Sequence, residues 1–274
     1  MTNRQTIWPA FDGVMTQERS DLQILYRHAA PYPHLVLDNL FPSSCLSEVA
    51  EGFEQTAPEY WRTIRSGLQN RKVSAANSPL PPAVQHYFNI LHSGPFTRFL
   101  SEVTGIGDLI PDPALFGGGM HQTSGGGTFE VHVDFEQNPR TLLRNRLAVI
   151  TYLNKDWTNE DGGALELWRL KPKACMATIT PVFGRTVIIG QSRKAAHGHL
   201  QPIRNGRIRR AVTAYFYTNG TRLSLSTSLL PTGYFARRGM TFQQNMEYVV
   251  RLVTPPLLLS GVRTLAQRLG GRSG

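Results

Sequence analysis
The stretch FEVHVDFEQN, residues 129–138, decides how the chain is read. Its alternation is that of a half-buried strand, with Phe129, Val131, Val133 and Phe135 on one face and Glu130, His132 and Asp134 on the other. His132 and Asp134 therefore project the same way, roughly 7 Å apart along the strand. A histidine and a carboxylate so placed are either two metal-competent ligands or two members of a solvated outer face. The pair alone does not choose between them; the rest of the chain has to.

At 274 residues, 41% hydrophobic and 18% charged, the chain has the make-up of a globular protein able to bury a full core. Cys45 and Cys175 are far apart and form no CxxC pair. This argues against a disulfide framework or zinc knuckle and for a reducing, cytoplasmic setting. The opening MTNRQTIWPAFDGVM has no apolar core of signal-peptide length. The run LVTPPLLLSGV at 252–262 is broken by Pro255 and Pro256 and falls far short of the ~20 residues of a spanning helix. The expectation is a soluble protein without a membrane segment. Formal charge is +10, and 24 of the 29 basic residues are arginine. No dense Lys/Arg run or aromatic-interleaved RNA motif accompanies them, so the pattern reads as a solvated arginine-rich surface, not a nucleic-acid interface.

Residues 1–112 read as a helical and strand support. HLVLDNLF (34–41) is strand-like, and a helix follows with Ser43 or Ser44 as N-cap and Glu48 just inside. PPAVQHYFNILHSGPFTRFLSEVTG (81–105) has helical spacing interrupted at Gly94-Pro95. From 113 to 220 the character changes to short alternating or β-branched runs at 128–135, 146–153, 164–168, 185–190 and 208–217. Short strands at that spacing predict a sandwich or jelly roll, not a βαβ sheet. Residues 221–274 return to a helical pattern, ending in a tail, GGRSG, that is expected to fray.

Further candidate ligands stand in KAAHGHLQP (194–202), where His197 and His199 lie about 65 residues beyond Asp134. Two histidines and one carboxylate on jelly-roll strands can occupy one face of an octahedral metal, the arrangement of non-haem Fe(II) oxygenases. Zinc hydrolysis can use similar ligands but needs no clamp for an organic acid. In RIRRAVTAYFYTN, residues Arg207, Arg209, Ala211, Thr213, Tyr215 and Tyr217 share one strand face. An arginine turned into a barrel requires an anionic partner, and a carboxylate held by guanidinium is the natural one.

Taken in order, GGGMHQTSGGGTFEVHVDF, RLAVITYLNKDW, GGALELW, PVFGRTVII, HGHLQP and RRAVTAYFYTNG resemble the catalytic core of the Fe(II)/2-oxoglutarate-dependent oxygenases, in their prolyl 4-hydroxylase-like branch. YPHLVLDNLFP (32–42) resembles the opening of that branch. The resemblance implies an α+β chain: a double-stranded β-helix, the cupin-like jelly roll, with flanking N- and C-terminal helices in one oxygenase domain spanning 1–274. It implies Fe(II) bound by His132, Asp134 and His197, and 2-oxoglutarate held at its distal carboxylate by Arg209 and Tyr152. Gln122 takes the place of a cosubstrate-contacting side chain on the preceding strand, and His121 that of a core or pocket histidine. The first histidine of HGH matches the ligand position, so His199 is read as a residue backing the ligands or at the rim. Strand parity and the spacing before AVTAYF select Arg209 over Arg210.

The chemistry implied is hydroxylation of an unactivated C–H bond, coupled to conversion of 2-oxoglutarate and O2 to succinate and CO2, with ascorbate as a supporting reductant. Aspartate at 134, where Gly or Ala would admit a halide, implies hydroxylation over halogenation. The substrate implied is a prolyl or other residue in a peptide, with a free amino acid or natural-product intermediate as the alternative. Glu136 in FEQNPR and the residues RKAA before His197 depart from the family pattern and border the substrate space. A non-catalytic jelly-roll binding module is the competing class; the complete triad argues against it. Trp157, Leu165 and Trp168 are expected in the core, GGALELW as a turn into a buried strand, and Gly125-Gly126-Gly127 as a rim loop.

Overall fold
In the computed structural model the described residues are 19–219, 233–235 and 239–253. The expectations for the GGRSG tail and for helix beyond residue 253 lie outside them. In chain order the elements are α1 (Arg19–His28), β1 (His34–Leu37), α2 (Ser43–Gln55), β2 (Trp61–Arg65), β3 (Asn70–Ser74), α3 (Pro82–Leu91) and α4 (Gly94–Thr104). There follow β4 (Ile110–Pro111), β5 (Gly119–Ser124), β6 (Phe129–Val133), β7 (Arg144–Tyr152), β8 (Leu165–Leu170) and β9 (Lys173–Ile179). The remainder are β10 (Thr186–Gly190), β11 (Ala196–His199), β12 (Ile208–Thr218), β13 (Gly233–Tyr234) and α5 (Phe242–Val253).

The strands form two antiparallel sheets. The larger runs β1-β10-β7-β12-β5-β3-β2, with β4 on β12; the smaller runs β13-β6-β11-β8-β9. From β5 onward the chain passes back and forth between the sheets, placing β5, β12, β7 and β10 opposite β6, β11, β8 and β9. This is the double-stranded β-helix that the strand spacing and the resemblance imply.

The large sheet is covered on both faces. Tyr87, Phe88, Phe96 and Phe99 of α3 and α4 pack with Met120, Val149, Val212, Ala214 and Phe216 on its outer face. Tyr152, Val187, Ile189 and Ala211 face the other way, with Leu165 and Leu167 of the small sheet. Strands buried on both sides read as nearly continuous apolar runs, which explains RLAVITY and AVTAYFY. Phe99 is fully buried, so Phe99→Ala should destabilise the fold by about 3–5 kcal/mol, read as a lowered urea midpoint.

Local details amend several expectations. The helix break at Gly94-Pro95 holds: Ser93 caps α4 through its side chain and Gly105 closes it at φ 71°. The cap of α2, by contrast, is Pro42, with no side-chain hydrogen bond. Ser43 and Ser44 are already inside the helix, so neither hydroxyl stands where it could receive the first N–H groups. The strand at 34–41 ends at Leu37. The 58–80 region contains an unforeseen hairpin, β2–β3, whose polar composition hides it. β9, largely exposed, also escaped the pattern. Trp157 and Leu165 are buried as expected, whereas Trp168 is only half-buried, its indole N–H bonded to Glu166. No helix among the described residues is long and apolar enough to cross a membrane.

Candidate active site
His132 on β6 and His197 on β11 are directly paired across the small sheet, so both side chains leave the same face side by side. Asp134 stands just past the end of β6. Its Oδ1 lies 3.6 Å from His132 Nε2 and its Oδ2 lies 3.7 Å from His197 Nε2. These separations exceed hydrogen-bond length, and one donor atom from each residue falls within 4.8 Å of the others. The imidazoles are fixed from behind. His132 Nδ1 contacts Glu130 O at 2.8 Å and His197 Nδ1 contacts Ala195 O at 3.0 Å. With Nδ1–H donated to a carbonyl, each Nε2 presents its lone pair toward Asp134. The donor set fits a divalent cation.

The charges agree with this geometry. Burial works against ionisation of Asp134, but His197, His132 and the Tyr215 hydroxyl hold its carboxyl below the usual range. Burial drives His132 toward the neutral imidazole, His197 acts in the same direction, and Asp134 opposes them. Tyr215 donates to Asp134 Oδ2 at 3.0 Å. Its burial, and next to it the Asp134 charge, push the phenol well above its ordinary range, so the donor keeps its proton.

Arg209 on β12 and Tyr152 on β7 point into the same barrel. Ala211 pairs with Tyr152 in register, which puts Arg209 one strand step away on the same face. Arg209 Nε donates to Gly163 O at 2.8 Å and its Nη2 donates to the Tyr152 hydroxyl at 3.3 Å. Neither partner is charged, and Arg209 is 8% exposed. No carboxylate among the described residues forms an ion pair with it. Tyr152 accepts from Arg209 and has its own proton left to give. Burial raises its pKa against the opposing effect of Arg209, so that proton stays in place. The turn in GGALELW makes the approach possible. Gly163 has φ +64°, and a Cβ there would lie 2.9 Å from Arg209 Cδ.

Residues 118–217 match the model of the 2OG-Fe(II) oxygenase superfamily, and the converging His-Asp-His set falls inside that span. These residues form a 2OG-Fe(II) oxygenase core. No curated protein matches the chain. Solved structures sharing the fold include a Pseudomonas putida prolyl-4-hydroxylase, at 18% identity and TM-score 0.51, covering 73% of this chain and 100% of that one. A Trichoplax adhaerens prolyl hydroxylase, solved with a hypoxia inducible factor oxygen degradation domain peptide fragment, aligns at 16% identity and TM-score 0.56, covering 78% and 94%. HygX from Streptomyces hygroscopicus, solved with nickel, 2-oxoglutarate and hygromycin B, aligns at 12% identity and TM-score 0.50, covering 75% and 88%. At such identities these likenesses bear on the fold. The family itself is that of Fe(II)- and 2-oxoglutarate-dependent dioxygenases, and the oxygenase uses those cofactors with O2.

The oxygenase departs from the sequence reading at three positions. Gln122 does not face the cosubstrate space: it pairs with Arg210 in register and accepts from Arg210 Nε at 3.4 Å. That is the helix-covered face, where Arg210 also meets Glu54. Parity instead turns His121 and Thr123 inward, beside Ala211 and Arg209. Arg207 leaves the barrel, its guanidinium 5.0 Å above the Trp157 ring and paired with Asp161. Phe129, assigned to the apolar face with Val131, lies with His132, their ring centroids 3.9 Å apart. The register between β6 and β11 shifts between His197 and His199. The extra residue this leaves on β6 re-aims Phe129 into the pocket.

His199 is buried and faces the same side as His197, as two-residue periodicity requires. Across the shift it pairs with Phe129, and its Nδ1 has no hydrogen-bond partner. It stands apart from the convergent donors. His197→Ala should therefore lose Fe(II) as His132→Ala does, whereas His199→Ala should keep the metal and measurable 2-oxoglutarate consumption. Anaerobic Fe(II) titration of the three variants checks this, and a reversed order would shift the ligand by two residues.

The pocket holds one further cation that the sequence pattern does not mark. Arg71 on β3 lies with its guanidinium carbon 4.1 Å from the Phe129 ring centre and contacts His121 Nδ1 at 2.9 Å. The available signal was its parity with Val73 in NRKVS, but a strand with so many polar residues reads as loop.

Proposed function
We propose that the oxygenase binds Fe(II) through His132, Asp134 and His197, and grips the distal carboxylate of 2-oxoglutarate with Arg209 and Tyr152. The proposed reaction is hydroxylation of a C–H bond in a prolyl or other amino-acid residue of a peptide. One observation carries the site assignment: a buried carboxylate with two Nε2 atoms turned toward it, in the same barrel as a buried arginine lacking a carboxylate partner. Bound there, iron with 2-oxoglutarate and O2 supplies oxidative decarboxylation to succinate and CO2, and insertion of the second oxygen atom into the substrate.

The chain's own residues supply position and field. Glu130 O and Ala195 O hold the two imidazoles in one tautomer, and Tyr215 fixes one Asp134 oxygen so that the other stays available. The Tyr32 hydroxyl donates to Ala196 O at 2.8 Å, steadying β11 beside His197. Arg209 provides the charge for the cosubstrate and Tyr152 a neutral donor next to it, so a diacid is oriented along the barrel with its other end toward the triad. The rim is tied by a bidentate Arg193–Glu136 pair, at the two segments that depart from the family pattern.

The whole chain is taken as one oxygenase domain, since α3 and α4 build the core on which the large sheet rests. Cys45 and Cys175 are both free, which favours a cytoplasmic setting. The peptide reading draws on the Trichoplax enzyme's peptide complex and the prolyl hydroxylases among the similar folds. Succinate release on adding Fe(II), 2-oxoglutarate and O2, followed by a screen for +16 products across peptides, amino acids and natural-product intermediates, tests it. Absence of succinate under all conditions would leave a non-catalytic jelly-roll module. Products confined to free amino acids or natural products would replace the peptide reading.

A further inference from the structure
We propose that Arg71 anchors a carboxylate of the substrate beside the triad, so that the substrate enters as a carboxylate anion. This rests on the oxygenase reading above and names its substrate class.

Arg71 shares the inward parity of Val73, which pairs with His121. Its guanidinium lies over Phe129, and Phe129 in turn stacks on His132, so the cation stands one ring away from the triad. Its Nε donates to Gln69 Oε1 at 3.0 Å and its Nη1 lies 2.9 Å from His121 Nδ1. Gln69 is held by its own bond to the Tyr234 hydroxyl at 2.8 Å. Both partners of Arg71 are neutral: burial, and next to it Arg71 itself, push His121 down to about 3. Among the described residues Arg71 forms no ion pair. A half-buried guanidinium with only neutral partners is a cation still short of an anionic partner. Nη2 is the part left for that anion.

The cosubstrate does not account for this charge. In the large sheet β5 lies between β12, which carries Arg209, and β3, which carries Arg71, so the two backbones are about 10 Å apart. Arg209 and Tyr152 already provide a charge and a hydroxyl for one carboxylate, and the triad is the place for the other end of the diacid. Arg71 thus offers a third anchoring point, on the hairpin side. A carboxylate suits it better than a phosphate dianion, because Asp134 contributes negative charge to the same pocket.

The test uses the full chain loaded with zinc in place of iron and saturated with 2-oxoglutarate, so that nothing turns over. Binding of acetate is followed by calorimetry in wild type, Arg71→Gln and Arg71→Lys, with acetamide as the uncharged control. Acetate should bind saturably to wild type, at least tenfold more weakly to Arg71→Gln, and with partial recovery in Arg71→Lys; acetamide should not bind. N-acetyl-L-alanine and free L-alanine, run in parallel, separate a chain-terminal carboxylate from that of a free amino acid, and preference for either supports the proposal. Equal acetate binding by wild type and Arg71→Gln, or none by wild type, overturns it. So does a loss of 2-oxoglutarate affinity in Arg71→Gln as large as in Arg209→Ala, which would put Arg71 in the cosubstrate clamp. Failure of the oxygenase reading shows separately, as wild type that forms no succinate with Fe(II).

Discussion
Asp134→Ala should leave a folded protein that neither holds Fe(II) nor converts 2-oxoglutarate to succinate. Asp134 follows the last residue of β6, and its carboxylate packs into no apolar cluster. It faces two imidazole nitrogens at 3.6 and 3.7 Å and one phenol at 3.0 Å. Removing it takes away the only anion of the proposed ligand set and leaves two imidazoles turned toward an empty corner. The fold loses one buried hydrogen bond and leaves the Tyr215 hydroxyl without its acceptor, a cost of roughly 1–3 kcal/mol. The two effects separate experimentally. Anaerobic Fe(II) titration and succinate yield should fall to background, while the urea transition stays cooperative and shifts modestly. An Asp134→Ala protein with undiminished succinate formation would rule out this triad.

Arg209→Ala should raise the 2-oxoglutarate requirement at least tenfold while sparing Fe(II) binding. The guanidinium is buried, its partners are the Gly163 carbonyl and the Tyr152 hydroxyl, and it is not among the donors that converge with Asp134. Loss of one partner of a desolvated, charge-assisted pair costs roughly 2–5 kcal/mol, or about 30- to several-thousand-fold in affinity. Tyr152→Phe removes one neutral donor and should cost on the order of 1 kcal/mol. Arg210→Ala is the control for strand parity. Arg210 lies on the helix-covered face with Glu54 and Gln122, so its loss should leave the 2-oxoglutarate requirement near that of wild type. Titrating 2-oxoglutarate against these proteins decides between the arginines. A large increase in Arg210→Ala, with none in Arg209→Ala, would contradict the assignment of that strand's inner face.

Much of this was legible without coordinates, for a definite reason. The alternation in FEVHVDF puts His132 and Asp134 on one side of a strand path, and parity puts Arg209 on an inner face, whereas His197 over His199 and Tyr152 rest on the family resemblance. The β-helix was legible because its strands are short and bounded by Gly, Pro, Asn and Asp, a pattern no βαβ sheet produces. The tertiary structure decided which face is the inside. Period two divides the residues of β5 into two sets, but both sides of this sheet are covered, one by α3 and α4 and the other by the small sheet. Nothing in GMHQTS tells the two coverings apart; the family resemblance implies Gln122, and the register turns His121 to the inner face instead. The register shift between β6 and β11 likewise turns Phe129 against its own alternation, because an inserted residue in one strand shows only when its partner is known. The place of Arg71 is hidden in the sequence for the same reason. Its strand is mostly polar and becomes a pocket wall only by pairing with β5, a contact between residues about fifty positions apart that no local pattern encodes.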